Sequence, residues 1–164
     1  MKKGIAFLLA AILGVSFGLA AAYFFQITKV GDSTMAPTLA AQDTVLIARR
    51  AYTSKSPRCG DLVLVDAVDW VYGSRGEGST AIKRIIATPG DRVGIYDGIV
   101  FVNGYAAQED YLQEQESSGS MSPVVLKEGE YFVMGDNRAA STDSRSDGVG
   151  AICEDEILGE VILW

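Results

Sequence analysis

At 164 residues, with 14 basic and 21 acidic side chains and a net charge of −7, the chain has room for one domain and a tail or anchor. The acidic balance argues against the basic patch that nucleic acid requires and against a polybasic membrane-surface binder. There is no histidine, which excludes Ser-His-Asp and Cys-His catalysis and every His-ligated metal centre, and the two cysteines, Cys59 and Cys153, are too few to close a zinc site alone. A hydrolase with a side-chain nucleophile must therefore take its base from a lysine, a carboxylate or an N-terminal amine.

Lys2 and Lys3 precede residues 4 to 25, an apolar or small stretch interrupted by Ser16. As a helix this run covers the roughly 30 Å hydrocarbon core of a bilayer. The basic start predicts a cytoplasmic N-terminus with the remainder outside the cytoplasm, although Lys29 just beyond the span goes against the charge rule. Ala20-Ala21-Ala22 also resembles a signal-peptide cleavage site, but the run continues through Tyr23, Phe24 and Phe25, longer than such a segment needs. The reading is a membrane anchor over residues 1–27 and an extracytoplasmic domain over 28–164.

Immediately after comes Gly31-Asp32-Ser33-Thr34-Met35-Ala36-Pro37-Thr38-Leu39, two hydroxyl side chains beside a Met-x-Pro turn. From residue 43 onward the pattern is β. Thr44 to Ala48, Leu62 to Val65, Ala81 to Ala87, Ile99 to Val102, Glu130 to Met134 and Ile157 to Leu163 read as strands. Asp97-Gly98 and Asn103-Gly104 are tight hairpin signals. Residues 66–80 read as a Gly/Ser-rich connection, in which Trp70 and Tyr72 either reach a bilayer interface or pack under the loop. Residues 107–123 read as polar and irregular. The whole predicts one mainly β, mostly antiparallel domain behind a single helix.

Two later stretches carry chemistry. Lys83 lies in Ala81-Ile82-Lys83-Arg84-Ile85-Ile86, where apolar neighbours would desolvate its amine and lower its pKa towards that of a usable base. Taken alone, the segment describes a solvated lysine on an edge strand better than a buried one. Gly135-Asp136-Asn137 opens a turn, after which Ser141, Asp143 and Arg145 recur at a spacing of two. Asp143 and Arg145 can pair, and Ser141 can orient an amine, but an ordinary polar loop has the same composition.

Met-x-Pro-Thr-Leu at 35–39, Gly60-Asp61 before an apolar strand, Lys83-Arg84-Ile85 ending in Pro89-Gly90-Asp91, and Gly-Asp-Asn with Ser-x-Asp-Ser-Arg at 135–145 recur in order. Together they resemble the type I signal peptidases, membrane-anchored Ser/Lys proteases. The resemblance covers the chain beyond the anchor and looks like the minimal single-anchor form. It implies the β-rich domain shared with LexA-like autoproteases, removal of signal peptides from exported preproteins after small residues, and no metal or cofactor. It implies Lys83 as general base, Ser141 as its orienter, Asp143 with Arg145 as a supporting pair, and Met35, Leu39 and Ile82 lining apolar pockets. The partners implied are signal-peptide-bearing preproteins and membrane lipid, and the protein is expected as a monomer in the cytoplasmic membrane.

The family's nucleophile is the serine before the methionine of Met-x-Pro, and here that residue is Thr34. Counting forward from Gly31-Asp32 selects Ser33 instead, and side chains one residue apart in extended chain point opposite ways. The Thr34 register puts Asp32 at the position that helps bind the oxyanion in this family, where an ionised carboxylate cannot donate. Two other outcomes stay open: a peptidase dedicated to one pilin or conjugation-system precursor, and a degenerate member that tethers exported chains without cutting them.

Overall fold

The computed structural model describes residues 2–67, 70, 80–112 and 119–164, with helix side chains described from Leu9 onward. The apolar run forms helix α1, Lys2–Phe24. Its described side chains are exposed apart from half-buried Ala21, and its last turn touches the domain through Tyr23, whose ring lies 4.5 Å from the Arg50 guanidinium. Among the described residues no helix is long and apolar enough to cross a membrane.

The chain passes without a loop from α1 into strand β1, Phe25–Lys29, which pairs antiparallel with β2, Thr44–Ala48. This strand was not expected, because Phe25 and Ile27 prolong the apolar run of the helix. The strands β3 (Leu62–Asp66), β4 (Thr80–Ala87), β9 (Glu130–Met134), β10 (Ile152–Cys153) and β11 (Ile157–Leu163) complete a seven-stranded sheet in the order β1-β2-β11-β3-β4-β9-β10. A second sheet, β7-β6-β5-β8, is built from β5 (Arg92–Tyr96), β6 (Ile99–Val102), β7 (Tyr105–Ala106) and β8 (Met121–Val125). All the pairings are antiparallel.

Both hairpin signals form as expected, with positive φ at Asp97, Gly98, Asn103 and Gly104. The stretch over 107–123 is less irregular than its composition suggests. Its last residues enter β8, an edge strand that accommodates Pro123 because one side of it needs no ladder hydrogen bonds. Residues 113–118 lie outside the described residues, as do 68, 69 and 71–79, Tyr72 among them. Trp70 packs on a core cluster, which is the loop-contact alternative for that residue.

The run Leu62-Val63-Leu64-Val65 is continuously apolar because both faces of β3 are covered. Leu62 and Leu64 join Val30, Met35, Leu39, Ile47 and Ile82 on one face, while Val63 and Val65 join Ile85, Tyr131 and Val133 on the other. A third cluster, including Ile86, Val93, Ile95 and Phe132, binds the smaller sheet to the larger. One pairing detail positions the site. β3 accompanies β4 from Thr80 to Arg84, but β9 joins the other side of β4 only from Arg84 onward. Among the described residues, the edge of 80–83 away from β3 therefore has no strand partner.

Candidate active site

The segment from Gly31 to Leu39 is pinned by its two fully buried residues. Met35 and Leu39 are both 0 % exposed and anchor the turn in the core, and the Ala36–Pro37 peptide within it is cis. Between these anchors and β1, the Thr34 carbonyl accepts the Asn137 N–H at 2.9 Å, which ties the segment to the loop after β9. Lys83, 2 % exposed, stands across from Val63 on β4. Its Nζ donates to Thr34 Oγ1 at 3.1 Å. Ser33 is exposed, and its carbonyl accepts from Ala36 N and Asn137 Nδ2, each at 3.2 Å.

Burial dominates the electrostatics of Lys83 and pulls its pKa below the ordinary lysine value. Asp143, Asp32 and Asp136 push it back up in part, while Arg145 adds to the depression. Asp143 is 0 % exposed and fully engaged: it accepts Gly135 N–H at 2.9 Å, and Arg145 Nε and Nη2 at 2.8 and 2.9 Å. Burial alone would raise its pKa, but the Arg145 guanidinium and the Gly135 amide outweigh that and hold the carboxyl below its usual range. Ser141 Oγ reaches the Thr142 carbonyl at 3.5 Å, and no hydrogen bond joins it to Lys83 among the described residues.

Gly135 explains how the two segments come so close. A Cβ built there would lie 2.4 Å from Ser141 Oγ and 2.6 Å from the Thr34 carbonyl oxygen. The glycine is needed for close approach, since its φ is ordinary.

A narrow cleft of about 50 Å³ adjoins Thr34 and is lined by Gly31, Asp32, Met35, Leu64, Ala81 and Ile82 among others. Of the residues expected to line pockets, Met35 and Ile82 face this cleft, whereas Leu39 is fully buried and is not part of its wall. Three larger cavities among the described residues lie elsewhere and touch neither Thr34 nor Lys83. The chemistry decides between them.

Sequence reasoning missed a second polar layer beneath the site. Arg84, pointing away from Lys83 by strand alternation, forms a two-pronged ion pair with buried Asp136 at 2.9 and 2.7 Å and stacks on Tyr111 at 4.0 Å. Thr38 also donates to Asp136, and buried Arg138 pairs with Glu109. These contacts lock the turn, β4 and the loop after β9 together. The Arg84 alternation and the Gly-Asp-Asn-Arg sequence were visible signals, but the partners lie far apart in the chain. Cys59 and Cys153 are free and exposed, neither bridged to one another nor buried.

A buried lysine amine set against a hydroxyl in a histidine-free antiparallel β domain defines the class of site to be compared with known proteins. The family model described as Signal peptidase, peptidase S26 matches residues 2–164, so the chain belongs to that family. It is 32 % identical to signal peptidase I T of Bacillus subtilis (strain 168), over 92 % of this chain and 79 % of that protein. It is 31 % identical to signal peptidase I of Bacillus licheniformis, over 94 % and 82 % respectively. A crystal structure of a signal peptidase I from Enterococcus faecalis V583 superposes with a TM-score of 0.53 at 27 % identity, covering 66 % of this chain and 98 % of that one. The protein is accordingly a serine endopeptidase-type hydrolase of the signal peptidase I kind.

Proposed function

We propose that the protein removes signal peptides from exported preproteins by a Thr34–Lys83 dyad, with residues 28–164 as the catalytic domain outside the cytoplasm. The observation that carries this reading is the 3.1 Å contact between a buried lysine amine and the Thr34 hydroxyl. The neutral amine takes the Oγ1 proton as Oγ1 attacks the scissile carbonyl carbon. The resulting ammonium returns that proton to the leaving amine as the peptide C–N bond breaks, giving an acyl ester on Thr34. Water, deprotonated by the same amine, then releases the carboxylate product and restores the hydroxyl. The Asp143–Arg145 pair holds the loop beneath the amine during these transfers.

The substrate adds as an extended strand along the open edge of residues 80–83, where β4 has no β9 partner. The cleft walled by Met35 and Ile82 has room for a methyl group rather than a branched side chain, which favours small residues before the scissile bond. The run of residues 4–25 serves as the anchor in the cytoplasmic membrane. Its exposed apolar surface from Leu9 to Phe24 is suited to lipid rather than water.

One observation favours the degenerate alternative: the hydroxyl proton of Thr34 is directed at Asp32, not at the lysine. Cleavage of a preprotein by the detergent-solubilised chain separates the two. Thr34→Ala and Lys83→Ala are each expected to lower the rate by roughly a thousandfold, and Ser33→Ala to leave it unchanged. Cleavage that survives Lys83→Ala refutes the dyad, and loss on Ser33→Ala with retention on Thr34→Ala moves the nucleophile.

A further inference from the structure

Asp32 Oδ1 makes two contacts with the residue that matters most. It accepts the Thr34 hydroxyl at 2.7 Å and the Thr34 backbone N–H at 2.9 Å. Each of those hydrogens has another use in acyl transfer. The hydroxyl proton must pass to Lys83, which in this structure can only donate to Oγ1 because the Oγ1 proton is already committed. The N–H of a nucleophile is the donor nearest the oxygen of the tetrahedral intermediate, since that oxygen and Oγ1 share one carbon. A carboxylate oxygen therefore occupies the place in which a substrate oxyanion would form, and it carries the same charge. Asp32 is exposed, so its side chain can swing into water without breaking the core.

We propose that Asp32 is a latch on the nucleophile: its carboxylate holds the Thr34 hydroxyl and amide in a resting state, and the substrate must displace it before acylation. This rests on the Thr34–Lys83 reading above. The latch acts on Lys83 as well. The carboxylate lies within about 6 Å of Nζ through their shared contact with Oγ1, a range in which opposite charges favour the protonated amine. Asp143 and Asp136 on the loop after β9 act in the same sense and Arg145 in the opposite one, so removing Asp32 deletes one of three acidic influences on that amine.

Two variants separate the contact from the charge. Asp32→Ala removes both. It is expected to raise kcat on the high-pH plateau about tenfold, the gain from not opening a charge-assisted hydrogen bond that water partly replaces. It should also move the ascending limb of the rate–pH profile about one unit to lower pH. Asp32→Asn keeps an acceptor oxygen and loses the charge, so its limb should move similarly while its plateau rises less. A purely structural role would lower the melting temperature and kcat together and leave the limb where it is.

The assay is cleavage of a fluorogenic peptide with alanine before the scissile bond, from pH 6 to 11, by the full chain in detergent, with melting curves for each variant. A plateau in Asp32→Ala at or below that of the wild type overturns the latch. If Asp32→Ala melts below the assay temperature, an unmoved limb in Asp32→Asn overturns it. Thr34→Ala and Lys83→Ala in the Asp32→Ala background complete the test. If both abolish cleavage while the plateau and limb match the wild type, the latch alone falls. If both leave cleavage intact, the dyad falls and the latch with it. A wild type without activity and an active, Lys83-dependent Asp32→Ala would support the latch most directly.

Discussion

Replacing Gly135 by alanine measures how tightly the loop carrying Ser141 and Asp143 is fitted against Thr34. The added methyl would lie 2.4 Å from Ser141 Oγ, 2.5 Å from Ser141 Cβ and 2.6 Å from the Thr34 carbonyl oxygen, where ordinary contact begins at 3.4 Å. The hydroxyl can rotate away, but a Cβ and a backbone carbonyl cannot, so the two segments must separate by about 0.8 to 0.9 Å. Overpacking of this kind costs about 1–3 kcal/mol. The separation also stretches the Asn137 N–H to Thr34 carbonyl bond, worth about 1 kcal/mol. A total near 3 kcal/mol lowers the melting temperature by roughly 6–12 °C in a domain of this size. Because Thr34 moves relative to Lys83, kcat should fall on the order of a hundredfold. Thermal melting by circular dichroism and peptide cleavage by the same sample read both effects. Gly31→Ala is the control for melting, since nothing lies within 4 Å of its Cβ position and its φ is ordinary, and it should leave the melting temperature unchanged. A Gly135→Ala protein that melts with the wild type and keeps full kcat would refute the close-approach argument.

Arg145→Met leaves the Asp143 carboxylate buried without its partner, and breaking such a pair costs about 3–5 kcal/mol. Urea unfolding should show that loss, and Asp143→Asn/Arg145→Met should recover much of it; a double variant no more stable than the single would rule out the coupling. The folded-state pKa of Asp143 lies below its unfolded value of 3.8, so its contribution is complete above that value and disappears as pH falls through the folded one. Acid unfolding of the wild type should therefore begin below about pH 4, and in Arg145→Met at a higher pH. Lys83 contributes with the same sign in a higher pH window. Its folded-state pKa lies below 10.5, so between the two values the unfolded chain binds more protons and stability rises with pH. Urea midpoints measured from pH 7 to 10 should climb in the wild type and flatten in Lys83→Met, and an undiminished climb in that variant would show that another group is responsible.

The order of motifs alone determined the family, because spacing along the chain preserves which residue types an amine-based acyl transfer needs. Local pattern also determined the strands Thr44–Ala48, Ile99–Val102, Glu130–Met134 and Ile157–Leu163, and the two hairpins, since alternation and Asn-Gly or Asp-Gly turns are properties of adjacent residues. The strands β1, β5, β7, β8 and β10 escaped: β7 and β10 have two residues each, too few to show a period, and β1 continues the apolar run of the helix. Only the tertiary structure decided that Lys83 is buried rather than solvated, because what covers it comes from residues some fifty positions away on either side. The same holds for the Arg84–Asp136 and Arg138–Glu109 pairs. Asp32 is the clearest case: the sequence placed a carboxylate two residues before the hydroxyl, but which way its oxygen turns was set by how the folded turn presents Thr34 to the lysine. Proximity between segments distant in the chain is a property of packing, and a linear sequence carries it only through the fold.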